Sequence, residues 1–244
     1  MNRSKSFTPY HKSDNNFFLL ILLLIWAAIA TGFGYDMFQK SMHGKLHFTL
    51  IVHVHAVVFT GWLVLFSAQT LLVRTKNLAL HKKMGLISLG LIPIMLIFGI
   101  LTIFEVSRRD YGTPDSDLHF ICVQFGNLIM FSFLALTGLY LRKNYVAHKR
   151  LMIMSTIVLT EPGFSRFLSN EGGFLGYGNF WQIEVLPQFL LLLILGIYDY
   201  VTRKQLNKEY VLGVLFFILV TSTEVFLYYD SRWYNLMKHM IGVV

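Results

Sequence analysis

This chain is short of what a protein needs to be covered by water. Charged residues fill only 14% of its 244 positions, where an ordinary soluble domain carries about a quarter. Cysteine occurs once, as Cys122, which excludes an internal disulfide and a thiolate metal cluster. No glycine-rich phosphate loop, HExxH pair or nucleic-acid module occurs, so no nucleic acid partner is expected. Acidic residues are also scarce, 13 against 21 lysines and arginines, and that imbalance needs an explanation.

What fills the chain instead is apolar length: 55% of residues are hydrophobic and the mean hydropathy is +0.56. A helix needs roughly 20 residues to cross the hydrocarbon. With some latitude in length, seven stretches are read as spans: Phe17–Phe33, a second ending at Val73, Met84–Phe104, Phe120–Leu141, the shorter Leu151–Thr160, Val185–Val201 and Val211–Tyr229. The expected fold is an all-α polytopic membrane bundle of seven transmembrane helices. Residues 1–16 form an N-terminal arm, 17–230 the membrane domain and 231–244 a short tail. The fifth stretch is interrupted by Glu161, Pro162 and Gly163. Arg3, Lys5 and Lys12 precede the first stretch, as in a secretory signal. Its apolar run is too long for one and no small-x-small cleavage site follows, so it reads as a retained helix.

The positive charge is concentrated in RTKNLALHKK (74–83), RKNYVAHKR (142–150) and TRKQLNKE (202–209). Alternate loops carry them, and lysine and arginine mark the cytoplasmic side. The N-terminus is therefore expected in the cytoplasm and the C-terminus outside, in a bacterial plasma membrane. The first two loops echo one another, each leading through a His-Lys-basic triplet into the next helix, as an internal duplication or a shared loop constraint would produce.

Polar side chains gather in the outer half of these spans. His53 and His55 lie one to two turns into the second, with His47 at its mouth; His119 opens the fourth, with Gln124 and Asn127 deeper. Glu105 closes the third span, Glu161 the fifth and Glu224 the seventh, and Glu184 and Gln188 open the sixth. Charge in hydrocarbon is costly and turns toward a cavity or a partner. His53 and His55 are about 200° apart around a helix, so one of them faces such a site and the other does not. Structural roles compete: an imidazole donating to a carbonyl, Glu161 paired with Arg166, Glu184 and Gln188 shaping the helix around Pro187, and Tyr198, Asp199 and Tyr200 as interface anchors.

The histidine placement, across roughly His47 to Thr160, resembles the cytochrome b561-like transmembrane haem proteins. That resemblance implies haem b held between His53 or His55 and His119 near the outer face, and between His81 and His148 near the inner. Lys82, Lys83, Lys149 and Arg150 would then meet the propionates. The implied activity is electron transfer, as a membrane oxidoreductase, from a quinol or other small reductant. The same residues admit a zinc-dependent membrane hydrolase, with His55, His119 and His47 or Glu224 as ligands and Glu105 or Glu161 as base. In topology this resembles seven-helix zinc hydrolases and receptor-like membrane proteins. A third reading is a carrier without a redox cofactor, in which Pro93, Pro162 and Pro187 open helical backbone and Glu184 and Glu224 exchange a cation or protons. The segment HKRLM (148–152) resembles small proteins of respiratory oxidase assembly.

Overall fold

The computed structural model describes residues 7–44, 48–113, 116–169 and 181–243, and among them every regular element is helical. They are α1 (Asp14–Met42), α2 (Leu50–Arg74), α3 (Leu78–Gly85), α4 (Ile87–Asp110), α5 (Ile121–Tyr140), α6 (Tyr145–Val158), α7 (Glu161–Ser169), a π-helical turn (Trp181–Val185), α8 (Leu186–Arg203), α9 (Lys208–Tyr228) and α10 (Ser231–Met240). Six helical segments are long and apolar enough to cross a membrane: Asp14–Met42, Leu50–Arg74, Leu78–Asp110, Ile121–Tyr140, Ile183–Arg203 and Lys208–Tyr228. Their outward faces carry Leu23, Val57, Ile97, Ile197, Leu215 and Leu219, each more than 50% exposed. Apolar surface on that scale is what lipid covers, so this is an integral membrane protein.

The expected fifth span departs from the pattern. Instead of one membrane-length helix, this region forms α6 and α7, 14 and 9 residues long. Pro162 has no N–H to give the carbonyl four residues back, which ends a helix at this point. Thr160 manages the break: its backbone N–H and hydroxyl both turn to the Ile157 carbonyl, at 2.9 and 2.6 Å. The Thr160 carbonyl then accepts from the N–H groups of Gly163 and Phe164.

The helix ends are set by local chemistry. Asn77 and Asn144 cap α3 and α6, their side-chain oxygens accepting from the N–H of Leu80 and Ala147. Lys204 takes a left-handed conformation (φ 56°) that stops α8.

The chain divides into two compact units, Met1–His43 with Met130–Ile218, and Gly44–Ile129 with Leu219–Val244. In the first, α1 and α7 meet backbone to backbone. A Cβ on Gly32 would strike the Gly163 carbonyl, and one on Gly163 would come within 2.5 Å of the Ala28 carbonyl. Only small residues allow that approach, the usual way for membrane helices to gain contact when lipid is as apolar as their side chains. α8 and α9 lock similarly: the Tyr210 ring fills the space beside Gly196, and its hydroxyl donates to the Leu192 carbonyl at 2.8 Å.

A buried ionic cluster ties together the start of α1, the start of α6 and the end of α8. Arg150 grips Asp199 with two bonds of 2.5 and 2.6 Å, and neither side chain has any solvent exposure. Arg203 reaches both oxygens of Asp14 at 2.7 Å, while Lys149 (3.0 Å) and the Tyr198 hydroxyl (2.7 Å) also bond to Asp14. Asp199 is thus a buried ion-pair partner, whereas its sequence neighbourhood suggests an interface anchor. Tyr200 does remain exposed.

In the second unit, Ile103, Leu118, Ile121, Leu128, Met237 and Ile241 form a core flanked by Phe59, Phe104, Phe125, Trp233 and Tyr234. Arg108 donates to the Ile241 carbonyl at 3.0 Å, fastening the end of α10 to the end of α4.

Removing one partner of a buried ion pair strands the other charge, at a cost of about 3–5 kcal/mol. Asp199→Ala should therefore lower the thermal unfolding temperature sharply in detergent, while Ile197→Ala, on the outward face of the same helix, leaves it nearly unchanged.

Candidate functional site

Apart from the Asp14–Asp199 ionic cluster, two places among the described residues hold buried acids. The more developed is in the first unit, where the α6–α7 break faces the π-helical turn that leads into α8. Glu161, the first residue of α7, is 2% exposed. Its carboxyl lies beside that of Glu184, whose Oε2 is buried. Two carboxyls side by side in apolar surroundings disfavour a double negative charge, which makes the pair a candidate to hold a proton. Ser165, one turn along α7, donates to Glu184 Oε1 at 3.2 Å.

The backbone makes room for the pair. A π-helical turn widens the hydrogen-bond ladder by one residue, and Gln188 meets the Glu184 carbonyl by donating from Nε2 at 2.9 Å. The Gln188 oxygen is buried and accepts no hydrogen bond from the described residues. Arg166 lies near Glu184 and acts on it electrostatically. Its guanidinium donates to the Pro162 carbonyl at 2.8 Å, lies 3.7 Å from Asp36 and covers the Phe33 ring. The ion pair formed by Arg166 is thus with Asp36 on α1, where chain proximity suggests Glu161.

In the second unit the buried acid is Glu224 on α9, 3% exposed. Its carboxylate occupies the space a side chain would take at Gly126 of α5. Cys122, one turn earlier, donates to the backbone carbonyls of His119 (3.0 Å) and Glu224 (3.3 Å). The His119 ring stacks on Tyr234 of α10 at 4.9 Å and tilts toward Tyr228 at 5.8 Å. Its Nδ1 is buried and meets no partner among the described residues.

The remaining histidines fall into separate settings. His53 is exposed, and its Nδ1–H donates to the Thr49 carbonyl at 2.9 Å, within its own helix. His55 is half-buried and stacks on Phe59 at 4.1 Å. The two second-span imidazoles therefore take different surroundings, as their angular separation requires, and His55 is the inward one. His148 donates from Nδ1 to the Gly138 carbonyl at 2.7 Å, closing the α5–α6 turn. His81 is half-buried near the start of α3, and Glu105 is half-buried toward the end of α4. His47 lies outside the described residues. Among the described residues no three His, Cys, Asp or Glu side chains gather as a metal-holding group.

The Glu161–Glu184 pair was only half visible in the sequence. Each glutamate stands out as a charge in an apolar stretch, but nothing in the spacing says that they touch. The signal that points to it is the Pro-Gly break directly after Glu161 combined with Pro187 just beyond Glu184, two irregular backbones each carrying an acid.

A methyl group at Gly126 has nowhere to go unless Glu224 moves, and overpacking of this kind costs about 1–3 kcal/mol. Gly126→Ala should lower the unfolding temperature, whereas Gly61→Ala, where a Cβ meets open space, should not. Compared with known proteins, the chain matches no family model, and no curated protein or solved structure aligns with it significantly.

Proposed function

We propose that the protein is a proton-coupled membrane carrier in which the Glu161–Glu184 pair takes up and releases the coupling proton. The observation that supports this reading is the placement of the buried Glu161 carboxyl beside that of the half-buried Glu184, where one helix is broken and another is widened. Ionisable groups inside a membrane protein mark ion and proton paths, and broken helices at membrane depth belong to such paths. Ser165 and Gln188 supply neutral hydrogen-bonding groups beside the pair. Arg166 supplies a positive charge near Glu184.

The reading takes α6 and α7 together as a seventh, interrupted crossing. Its support is that α6–α7 follows α1 from the Lys149–Asp14 bond at one end to the Arg166–Asp36 pair at the other. Asp14 and Asp36 are about 33 Å apart along a straight helix, close to the hydrocarbon thickness. Seven crossings with the lysine- and arginine-rich loops inside put the N-terminus in the cytoplasm and the C-terminus outside. A bacterial plasma membrane is the proposed setting.

Dicyclohexylcarbodiimide, which reacts with protonated carboxyls in apolar surroundings, tests the pair. In liposomes at neutral pH it should modify Glu161 or Glu184, read by peptide mass, and the Glu161→Gln/Glu184→Gln double variant should lose that modification. The same variant should lose potential-driven proton entry into vesicles containing a pH-sensitive dye. Absence of modification at both glutamates, or proton entry unchanged in the double variant, refutes the proposal.

The second reading, a haem-bearing electron carrier using His119 with His55, is favoured by one observation, the buried unpartnered Nδ1 of His119. It calls for a stoichiometric Soret band in the purified protein and α and β bands on reduction with dithionite, diminished by His119→Ala. A colourless preparation removes it.

A further inference from the structure

The last helix has a face that no part of the described protein covers. α10 begins at Ser231, directly after the turn at Tyr229 and Asp230 that ends the α9 span. Asp230 caps it by accepting from the Arg232 N–H at 2.9 Å. The Arg232 guanidinium also folds back onto the Asp230 carboxylate at 2.7 Å, so the two charges cancel locally. At ten residues the helix is about 15 Å long.

Around its circumference α10 has three sectors. Trp233, Tyr234, Met237 and, just beyond its end, Ile241 pack into the core of the second unit. Ser231, Arg232, Asn235 and His239 form an exposed polar arc. Between the two lie Leu236 and Met240, 50% and 49% exposed, one turn apart on the same side. The described residues leave this strip half open, yet water is a poor neighbour for it.

We propose that α10 is an interfacial helix, with Leu236 and Met240 set into the acyl–headgroup boundary of the bilayer that α9 crosses and the Ser231–Asn235–His239 arc turned to water. The occupant follows from continuity. α9 presents Leu219 and Phe226, both 64% exposed, as lipid-facing surface. Tyr229, 71% exposed, stands between that surface and α10 at the level where aromatic rings collect in membranes. α10 then starts within two residues of the end of the span, leaving no chain in which to move away from the headgroups. Its sectors are those of a helix lying in the membrane plane, and the Arg108–Ile241 bond holds its far end down. The inference is independent of the proton-carrier reading.

The test uses the full chain in lipid vesicles with Cys122→Ser as background, a change that preserves a small hydrogen-bond donor at that position. Single cysteines introduced by Leu236→Cys, Met240→Cys and Asn235→Cys, all at exposed positions, carry a fluorescent label. Lipids bearing a nitroxide near the headgroup should quench the labels at 236 and 240 at least severalfold more than the label at 235. Aqueous iodide should show the reverse order. Iodide quenching of all three labels alike would place α10 in water and overturn the proposal. So would protection of 236 and 240 from both quenchers, which would mean that a protein surface, such as a second copy, covers the strip.

Discussion

Hydrocarbon offers no hydrogen bond, and that single fact organises this molecule. Every polar side chain on a membrane-spanning helix has to be met by the protein or moved to an end. Arg150 and Asp199 meet each other without any exposure. Asp14, at the first position of α1, receives Arg203, Lys149 and Tyr198. Hydroxyls within the helices satisfy themselves locally, as when Ser67 and Thr70 donate to carbonyls four residues back. Against that economy the Glu161–Glu184 pair stands out, because two acids lie side by side where the other buried acids of the first unit meet cations.

The close helix contacts serve the same end. Where α1 crosses α7, the absence of side chains at Gly32 and Gly163 brings the backbones together, which fixes α7 beside the first helix and points Glu161 toward the start of α8. Gly126 does something different: it yields its side-chain volume to a carboxylate from α9. One glycine allows a helix to approach and the other allows an acid to be buried.

Much of the fold was legible in the sequence because membrane-spanning length is a one-dimensional property. Six of the seven expected crossings appear as long apolar helices, with ends one to nine residues from where hydropathy puts them. The fifth was legible as a problem, since Glu161-Pro162-Gly163 announces a break, but not as two helices of unequal length. Partnership was far less legible. Arg150 and Asp199 sit 49 residues apart in segments that look like surface loops and interface anchors, and charge at a helix end reads the same whether it meets headgroups or another side chain. The histidines show the reverse limit. Phase correctly separated His53 from His55 without saying which was outward, because both neighbouring faces are equally apolar in sequence.

The attachment of Asp14 bears on how the chain is made. Its partners lie 135 and 189 residues downstream, and a chain emerges from the ribosome N-terminus first. The first helix therefore enters the bilayer carrying a carboxylate at its leading end that has no arginine to hold until α8 has been synthesised. Lys149 is the first of its cations in chain order, and the set of partners is complete only once Arg203 has been made. The start of the first helix thus depends for its full set of partners on a residue separated from it by most of the length of the polypeptide.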